Sequence, residues 1–301
     1  MIPTMLLSNW YSGATLFAFF LDSHPEIICN GETFPLRDKD KRRNICSCGA
    51  YIDTCDFYKN TIYIKEDETF PRNWDYNNAV VKPRLHNNIL VNRYLSSPLL
   101  ESFLRRKIIT HTNIKNRLNS YINYQFNFME NALNYSDANV YVDGTKSIRR
   151  TQIFANHFRN EKLNLIHLVR DGRAFCNSYK KNRKLTEKDL NFAAQEWNDY
   201  IQLVDNLANK FSNVNTLTIR YEDLCNNKHR VGLEISKFLK LSSSKKFEED
   251  NSTSHILGNR MRKDFNFDIV EDLSWKQELS ENTISAISKV MKKNLHRFNY
   301  L

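Results

Sequence analysis

No apolar run in this 301-residue chain approaches the ~20 residues that a membrane-crossing helix needs, and the mean hydropathy is −0.59. The apolar start lacks a basic leading segment. Ser12-Gly13 interrupt it before it reaches the length of a signal-peptide core. These absences predict a soluble, non-secreted, cytoplasmic protein. Lysine and arginine outnumber acidic residues, 44 against 34, yet they form no basic block of the kind found in nucleic-acid-binding tails. The net charge of +10 therefore favours a small phosphorylated ligand over nucleic acid, because such an excess steers anions inward. A lysine-rich solvated surface is the plain alternative. No clean linker and no internal repeat divide the chain, and 41% hydrophobic residues suffice for a full core.

What is present is unevenly placed. Of the six cysteines, Cys29, Cys46, Cys48 and Cys55 crowd one short stretch, while Cys176 and Cys225 stand apart. In a reducing compartment these are thiols or metal ligands rather than disulfides. Cys46-x-Cys48 with Cys55 can supply three zinc ligands, and Cys29 a fourth. The spacing is not that of a common zinc ribbon, so no metal is assigned.

Five short apolar runs bounded by turn residues predict buried strands at Thr4–Leu7, Ile27–Cys29, Val140–Val142, Leu163–Val169 and Asn215–Ile219. Helical patterns lie between most of them. The first spans about 13–23 and stops ahead of Pro25. The clearest covers 187–211, where Leu190, Ala194, Trp197, Ile201, Val204, Ala208 and Phe211 recur every three or four residues. Further helices are predicted at 148–159, 230–240 and 281–296. This alternation predicts an α/β fold: a parallel sheet of about five strands flanked by helices. "LNLIHLV" at 163–169 reads as a central strand, being almost continuously apolar. The segment 34–138 breaks the rhythm. It reads as a largely helical insertion after the second strand, within one domain spanning 1–301, that shapes much of the acceptor pocket.

The first strand runs into "SNWYSGATLF", and a strand, a tight turn and a helix together make an anion site. Turn amides and the helix N-terminus converge on phosphate, aided by the helix dipole. Gly13 lets the backbone approach closely, and the Ser12 and Thr15 hydroxyls can donate. A plain capped turn remains the alternative. Nucleotide triphosphatases place a lysine here to reach the outer phosphates. This turn has none, which argues against an ATP- and Mg²⁺-dependent phosphotransferase, although "VYVDG" offers such an enzyme a metal-binding aspartate. A second anchor is Arg170, at the end of the central strand, where α/β proteins place ligands. Its planar fork suits phosphate.

The segment "SGATLFAFFLDSHPEIICNGE" resembles the phosphosulfate-binding segment of sulfotransferases that use 3′-phosphoadenosine-5′-phosphosulfate, in the branch with tyrosylprotein sulfotransferases and related bacterial enzymes. The resemblance continues through "LIHLVRDGRAFCNSY", "LTIRYEDL", "HILGNRMR" and "WKQEL", leaving 34–138 weakly matched. The "CSCG…C" cluster is similar to one in some bacterial members. The resemblance implies a P-loop-like fold and a sulfuryl transfer from that donor, with no metal required, to a hydroxyl or amine. The acceptor is a carbohydrate, a peptide tyrosine or a small hydroxylated molecule. It implies that Tyr11, Ser12, Gly13, Ala14, Thr15 and Leu16 form the donor turn, and that Arg170 and Ser178 hold the 3′-phosphate with help from Arg173. Asn259 and Arg262 then close over the nucleotide, with Arg260 competing for the role. Tyr221 opens a segment counted with the donor site, although the family uses it structurally, and Trp275 reads as a core anchor. Glu32 matches the glutamate that serves as base in that branch; a loop-ordering ion pair is its plainer role. Tyr11 departs from the family, which has arginine or lysine there, so Lys146 is the favoured substitute cation. The departure also leaves open a nucleotide-binding relative with weak or no activity.

Overall fold

A computed structural model describes residues 2–33, 45–62, 112–248, 254–267 and 269–301. Strands β1 (Thr4–Ser8), β2 (Ile27–Cys29), β3 (Val140–Asp143), β4 (Leu163–Val169) and β5 (Val214–Arg220) form one sheet in the order β2-β3-β1-β4-β5. Every pairing is parallel, with Thr4 opposite Val142, Leu6 opposite Ile166, and Ile28 opposite Tyr141. All five predicted strands are present, each within one residue of its expected ends.

Alternation along the strands feeds two faces. On one, Leu6, Ile166 and Leu168 pack beneath helix α1 (Ala14–Asp22), with Val231 and Ile235 of a later helix. On the other, Met5, Leu7, Leu163 and Leu165 meet Phe154, Val204 and Leu207. A third cluster joins Val169 to Phe175, Trp197, Met291 and Leu295. The longer helices turn apolar residues toward these clusters. In chain order after α1 the helices are α2 (Asp56–Thr61), α3 (Thr112–Ser136), α4 (Ile148–His157), α5 (Gly172–Arg183), α6 (Leu190–Lys210), α7 (Tyr221–Asn226), α8 (Lys228–Leu239), α9 (Trp275–Glu278) and α10 (Glu281–Arg297).

The single helix expected over 187–211 is divided. Thr186 and Asp189 form a capping box that holds Glu187–Asp189 as a 3-10 turn, and α6 starts only at Leu190. Most of the expected insertion, 34–44 and 63–111, lies outside the described residues; its described parts are 45–62, with α2, and the stretch carrying α3. Among the described residues no helix is long and apolar enough to cross a membrane.

His167 faces the third cluster, its ring edge-on to Phe298. Burial lowers its imidazole to about 4 from 6.5, with Asp205 and Arg297 acting in opposite senses and more weakly. Between those values the unfolded chain binds a proton that the fold refuses, so stability falls as pH drops through this window. The loss approaches about 3 kcal/mol at 1.36 kcal/mol per unit. Asp22, pushed up to about 6 by burial, tilts the same window the other way. Comparing wild type with His167→Leu separates the two. The variant should lose less stability between pH 7 and pH 4.5 in urea melts, and parallel acid limbs would show that His167 is not buried neutral.

Candidate active site

Because every strand runs the same way, their carboxyl ends share one edge, and all five contribute there. After β1 the chain turns through Trp10 and Tyr11 into Gly13, the N-cap of α1, whose φ of 79 is left-handed. Its carbonyl accepts the first helical bond from Phe17 N at 2.9 Å. The amides of Ala14, Thr15 and Leu16 lie in the first helical turn, where N–H groups have no partner within the helix and the dipole is positive. Ser12 is buried beside them. The ring of Tyr221, first residue after β5, forms the floor: a Cβ built on Gly13 would come within 2.5 Å of it. Tyr11 itself offers the turn its backbone, while its ring stands edge-on to Tyr179 at 6.1 Å.

Arg170 follows β4, which adjoins β1 directly. One Nη1 donates to the Tyr11 carbonyl at 2.8 Å and reaches Ser178 Oγ at 3.4 Å; Nη2 meets Asp272 at 3.0 Å. Its guanidinium lies 5.0 Å from the centroid of the Tyr221 ring. Arg170 Nε is buried and has no partner among the described residues. The Arg170 carbonyl accepts from the Trp197 indole at 3.1 Å, so α6 fixes the strand end. Arg170, Ser178, Tyr221 and the turn are therefore brought together. Arg173 is nearby in sequence, but its guanidinium pairs with Asp171 at 2.7 Å, donates to Tyr300 O at 2.7 Å and stacks on Trp275 at 4.6 Å. Beneath it, Glu222 accepts from Asp171 N and from Tyr300 Oη, and burial raises its carboxyl above the ordinary range.

On the other side of β1 the exits of β2 and β3 nearly touch. A Cβ on Gly144 would fall 2.7 Å from the Gly31 carbonyl. This close approach brings Glu32 and Lys146 together, and Lys146 Nζ donates to Glu32 Oε1 with both side chains mostly buried. The ammonium also lies 5.6 Å from the Trp10 ring centroid, over the turn. The other candidate acid, Asp143 of "VYVDG", is fully buried against Arg150 at 2.6 Å and accepts from Thr145 N at 3.0 Å. A carboxylate committed in this way is a poor Mg²⁺ ligand, and the phosphotransferase alternative loses its aspartate.

A strap at 254–263 crosses between the two sides. Leu257 N donates to Asn30 O at 2.9 Å, Glu32 N donates to Leu257 O at 2.8 Å, and Asn259 N reaches Thr15 Oγ1 at 3.3 Å. Asn259 caps the following 3-10 turn by accepting from Met261 N at 3.2 Å. Arg262, buried, donates to the carbonyls of Ile45 at 2.9 Å and Gly258 at 2.7 Å. Asn259 and Arg262 are thus at the strap that closes the site, and Arg262 holds it by its backbone.

The cysteine set needs one correction. Cys46, Cys48 and Cys55 do gather, but their fourth companion is His255 rather than Cys29. Cys29 lies inside β2, with its N–H donated to Asp22 at 2.8 Å, and burial pushes its thiol up. The partner missed at the sequence level sits 200 residues beyond Cys55, with nothing local to mark it.

A family model described as "sulfotransferase domain" matches residues 3–299. Among solved structures, the "Sulfotransferase Domain from the Curacin Biosynthetic Pathway" is similar over 100% of this chain and 99% of that one, at 16% identity and a TM-score of 0.48. No curated protein matches the chain.

Gly13 is the tightest point of this edge. Gly13→Ala places a side chain in left-handed backbone, at roughly 1–2 kcal/mol, and drives it into the Tyr221 ring. The urea midpoint should fall accordingly, and Tyr221→Ala in the same chain should restore part of the difference. A midpoint equal to wild type would contradict the packing of turn on ring.

Proposed function

The chain belongs to the sulfotransferase domain family and is a sulfotransferase enzyme, and from that premise we propose that its donor is 3′-phosphoadenosine-5′-phosphosulfate. The phosphosulfate lies in the turn at 11–16, and the 3′-phosphate lies on Arg170 and Ser178. The observation that supports this most is the position of Arg170. Its guanidinium adjoins both the Tyr11 carbonyl and the Tyr221 ring, which also floors the turn. Two anion anchors on one ring suit a ligand with phosphoryl groups at both ends. The buried Nε of Arg170 supplies an unused donor for the second of them.

In the proposed reaction the acceptor oxygen attacks sulfur, the bond from sulfur to the bridging oxygen breaks, and adenosine 3′,5′-bisphosphate leaves. Glu32 takes the acceptor proton. Negative charge grows on the departing phosphate oxygen, where the amides of the turn and Lys146 stabilise it. The Glu32–Lys146 pair gives these two roles a common trigger. An arriving phosphosulfate competes with Glu32 for the ammonium, and as Lys146 turns to the donor the carboxylate is freed to act as base. Lys146 thereby supplies the positive charge that Tyr11 cannot. Glu32 leads toward the segment 34–138 expected to shape the acceptor pocket, of which 45–62 and 112–138 are described. Arg173 supports the site through Asp171, and Arg262 supports it through the strap.

Calorimetric titration with adenosine 3′,5′-bisphosphate tests the donor. Binding without added metal is expected, weakened at least ~10-fold by Arg170→Ala, which removes a charged hydrogen-bond donor. ADP, which lacks the 3′-phosphate, should bind wild type as weakly as the variant binds the bisphosphate. Equal affinity for both nucleotides would overturn the assignment. For the chemistry, Lys146→Ala should lower turnover far more than Lys181→Ala, since Lys181 pairs with Glu278 on the surface. Glu32→Gln should cost roughly 10²–10⁴ in kcat, the range for a general base. Equal rates for the two lysine variants would reject the role of Lys146.

A further inference from the structure

Cys46, Cys48, Cys55 and His255 have no part in the sulfuryl transfer, yet their ligand atoms all lie within 4.8 Å of one another. Cys48 and Cys55 Sγ are 3.7 Å apart, too far for a disulfide. His255 Nδ1 is 3.5 Å from Cys46 Sγ and 3.3 Å from Cys55 Sγ. A tetrahedral zinc with bonds of ~2.3 Å to sulfur and ~2.0 Å to nitrogen has edges of about 3.8 Å between sulfurs and about 3.5 Å from sulfur to nitrogen. Three of the six edges match it, Cys48 to Cys55 and His255 to both Cys46 and Cys55, and the remaining three lie within 4.8 Å. We propose that Cys46, Cys48, Cys55 and His255 bind one structural Zn²⁺ ion, which fastens the strap at 254–263 to the segment at 45–62.

The surroundings are built for an ion as well as for packing. The turn carrying Cys46 and Cys48 closes through Gly49 N to Cys46 O at 3.0 Å and Cys46 N to Ala50 O at 2.8 Å. Phe57 stacks on the His255 ring at 4.9 Å and 12°, fixing its plane, and Tyr135 meets it edge-on. The backbone on either side of His255 is clamped from the same module. Tyr58 Oη donates to His255 O at 2.8 Å, Ser47 Oγ donates to Ser254 O at 2.6 Å, and Ile256 N donates to Ser47 Oγ at 2.8 Å. Outer contacts of this kind orient ligands for a metal. Buried thiols alone pack as small hydrophobes and need no imidazole. The convergence of a histidine from 200 residues away on three sulfurs is what an ion explains.

The position gives the ion a consequence. His255 stands three residues before Gly258, where a Cβ would lie 3.0 Å from Thr15 Oγ1 and 3.6 Å from Glu32. A metal that holds His255 therefore holds the strap against both the donor turn and the base. This second step rests on the donor reading above; the metal itself does not.

Elemental analysis of the full chain, purified without chelator, should find about one zinc per molecule. Cys48→Ser and His255→Ala should lose it. His255→Cys, which restores four ligands, and Cys176→Ser, which lies far from the cluster in the chain, should keep it. Alkylation of the wild type followed by mass spectrometry should find Cys46, Cys48 and Cys55 protected until a chelator is added, which decides the matter even if a variant fails to fold. Cobalt exchanged into the protein should show the visible bands of tetrahedral thiolate coordination. A metal-free wild type whose three thiols alkylate freely, iron in place of zinc, or a Cys48–Cys55 disulfide would each overturn the proposal. Loss of nucleotide affinity on chelation, with zinc stoichiometric beforehand, supports the coupling to the strap. Unchanged affinity removes the coupling and leaves the metal site standing.

Discussion

The Arg170 guanidinium, held between the Tyr11 carbonyl and the Tyr221 ring, is the contact on which the site depends. It joins three strand exits in one stroke: the turn after β1, its own position after β4, and the first residue after β5. Each partner is fixed from elsewhere. Trp197 of α6 holds the Arg170 backbone, Val270 O accepts from the Tyr221 hydroxyl, and Gly13 has no side chain to keep the ring away. The Arg170 guanidinium also carries a charge that needs a partner. Its charge is met in part by Asp272, whose carboxyl is raised by burial but lowered further by hydrogen bonds from Ser274 and by Arg170 itself. Asp272 is half exposed, so water screens that pair and leaves it open to competition from a phosphate.

The opposite flank works by close backbone approach instead of charge. Gly31 and Gly144 lie together because β2 and β3 are neighbours and their exits converge, and that proximity alone sets Lys146 against Glu32. The ion pair is the loop-ordering contact that a glutamate here was open to making.

Between the flanks runs the strap at 254–263, tied by backbone bonds to Asn30 and Glu32, by Asn259 N to the Thr15 hydroxyl, and by Arg262 to Ile45. Two further arginines have protein partners here, Arg262 main-chain carbonyls and Arg173 both a carboxylate and a carbonyl. Arg262 folds the strap back on itself, and Arg173 joins Asp171 to the C-terminal residues around Tyr300. A buried guanidinium with five donors is well suited to such work.

Local physics decided the rest from sequence alone: the five strands, the stop of α1 before Pro25, the stripe of α6, and the turn with Gly13 were all legible because periodicity and turn chemistry act over a few residues. Arg170 was legible from its place at the end of the central strand, whereas Ser178 was singled out only by the family resemblance. Tertiary structure alone decided who meets whom across the sheet edge. The order β2-β3-β1-β4-β5 departs from chain order, so it places Lys146 beside Glu32 across 114 residues and the turn beside Arg170 across 159. It took Cys29 out of the thiol cluster, because strand alternation buries that side chain on the α1 face, and brought in His255 through the strap. Partner identity at long range depends on the packing of whole layers, and a window of neighbouring residues carries no record of it.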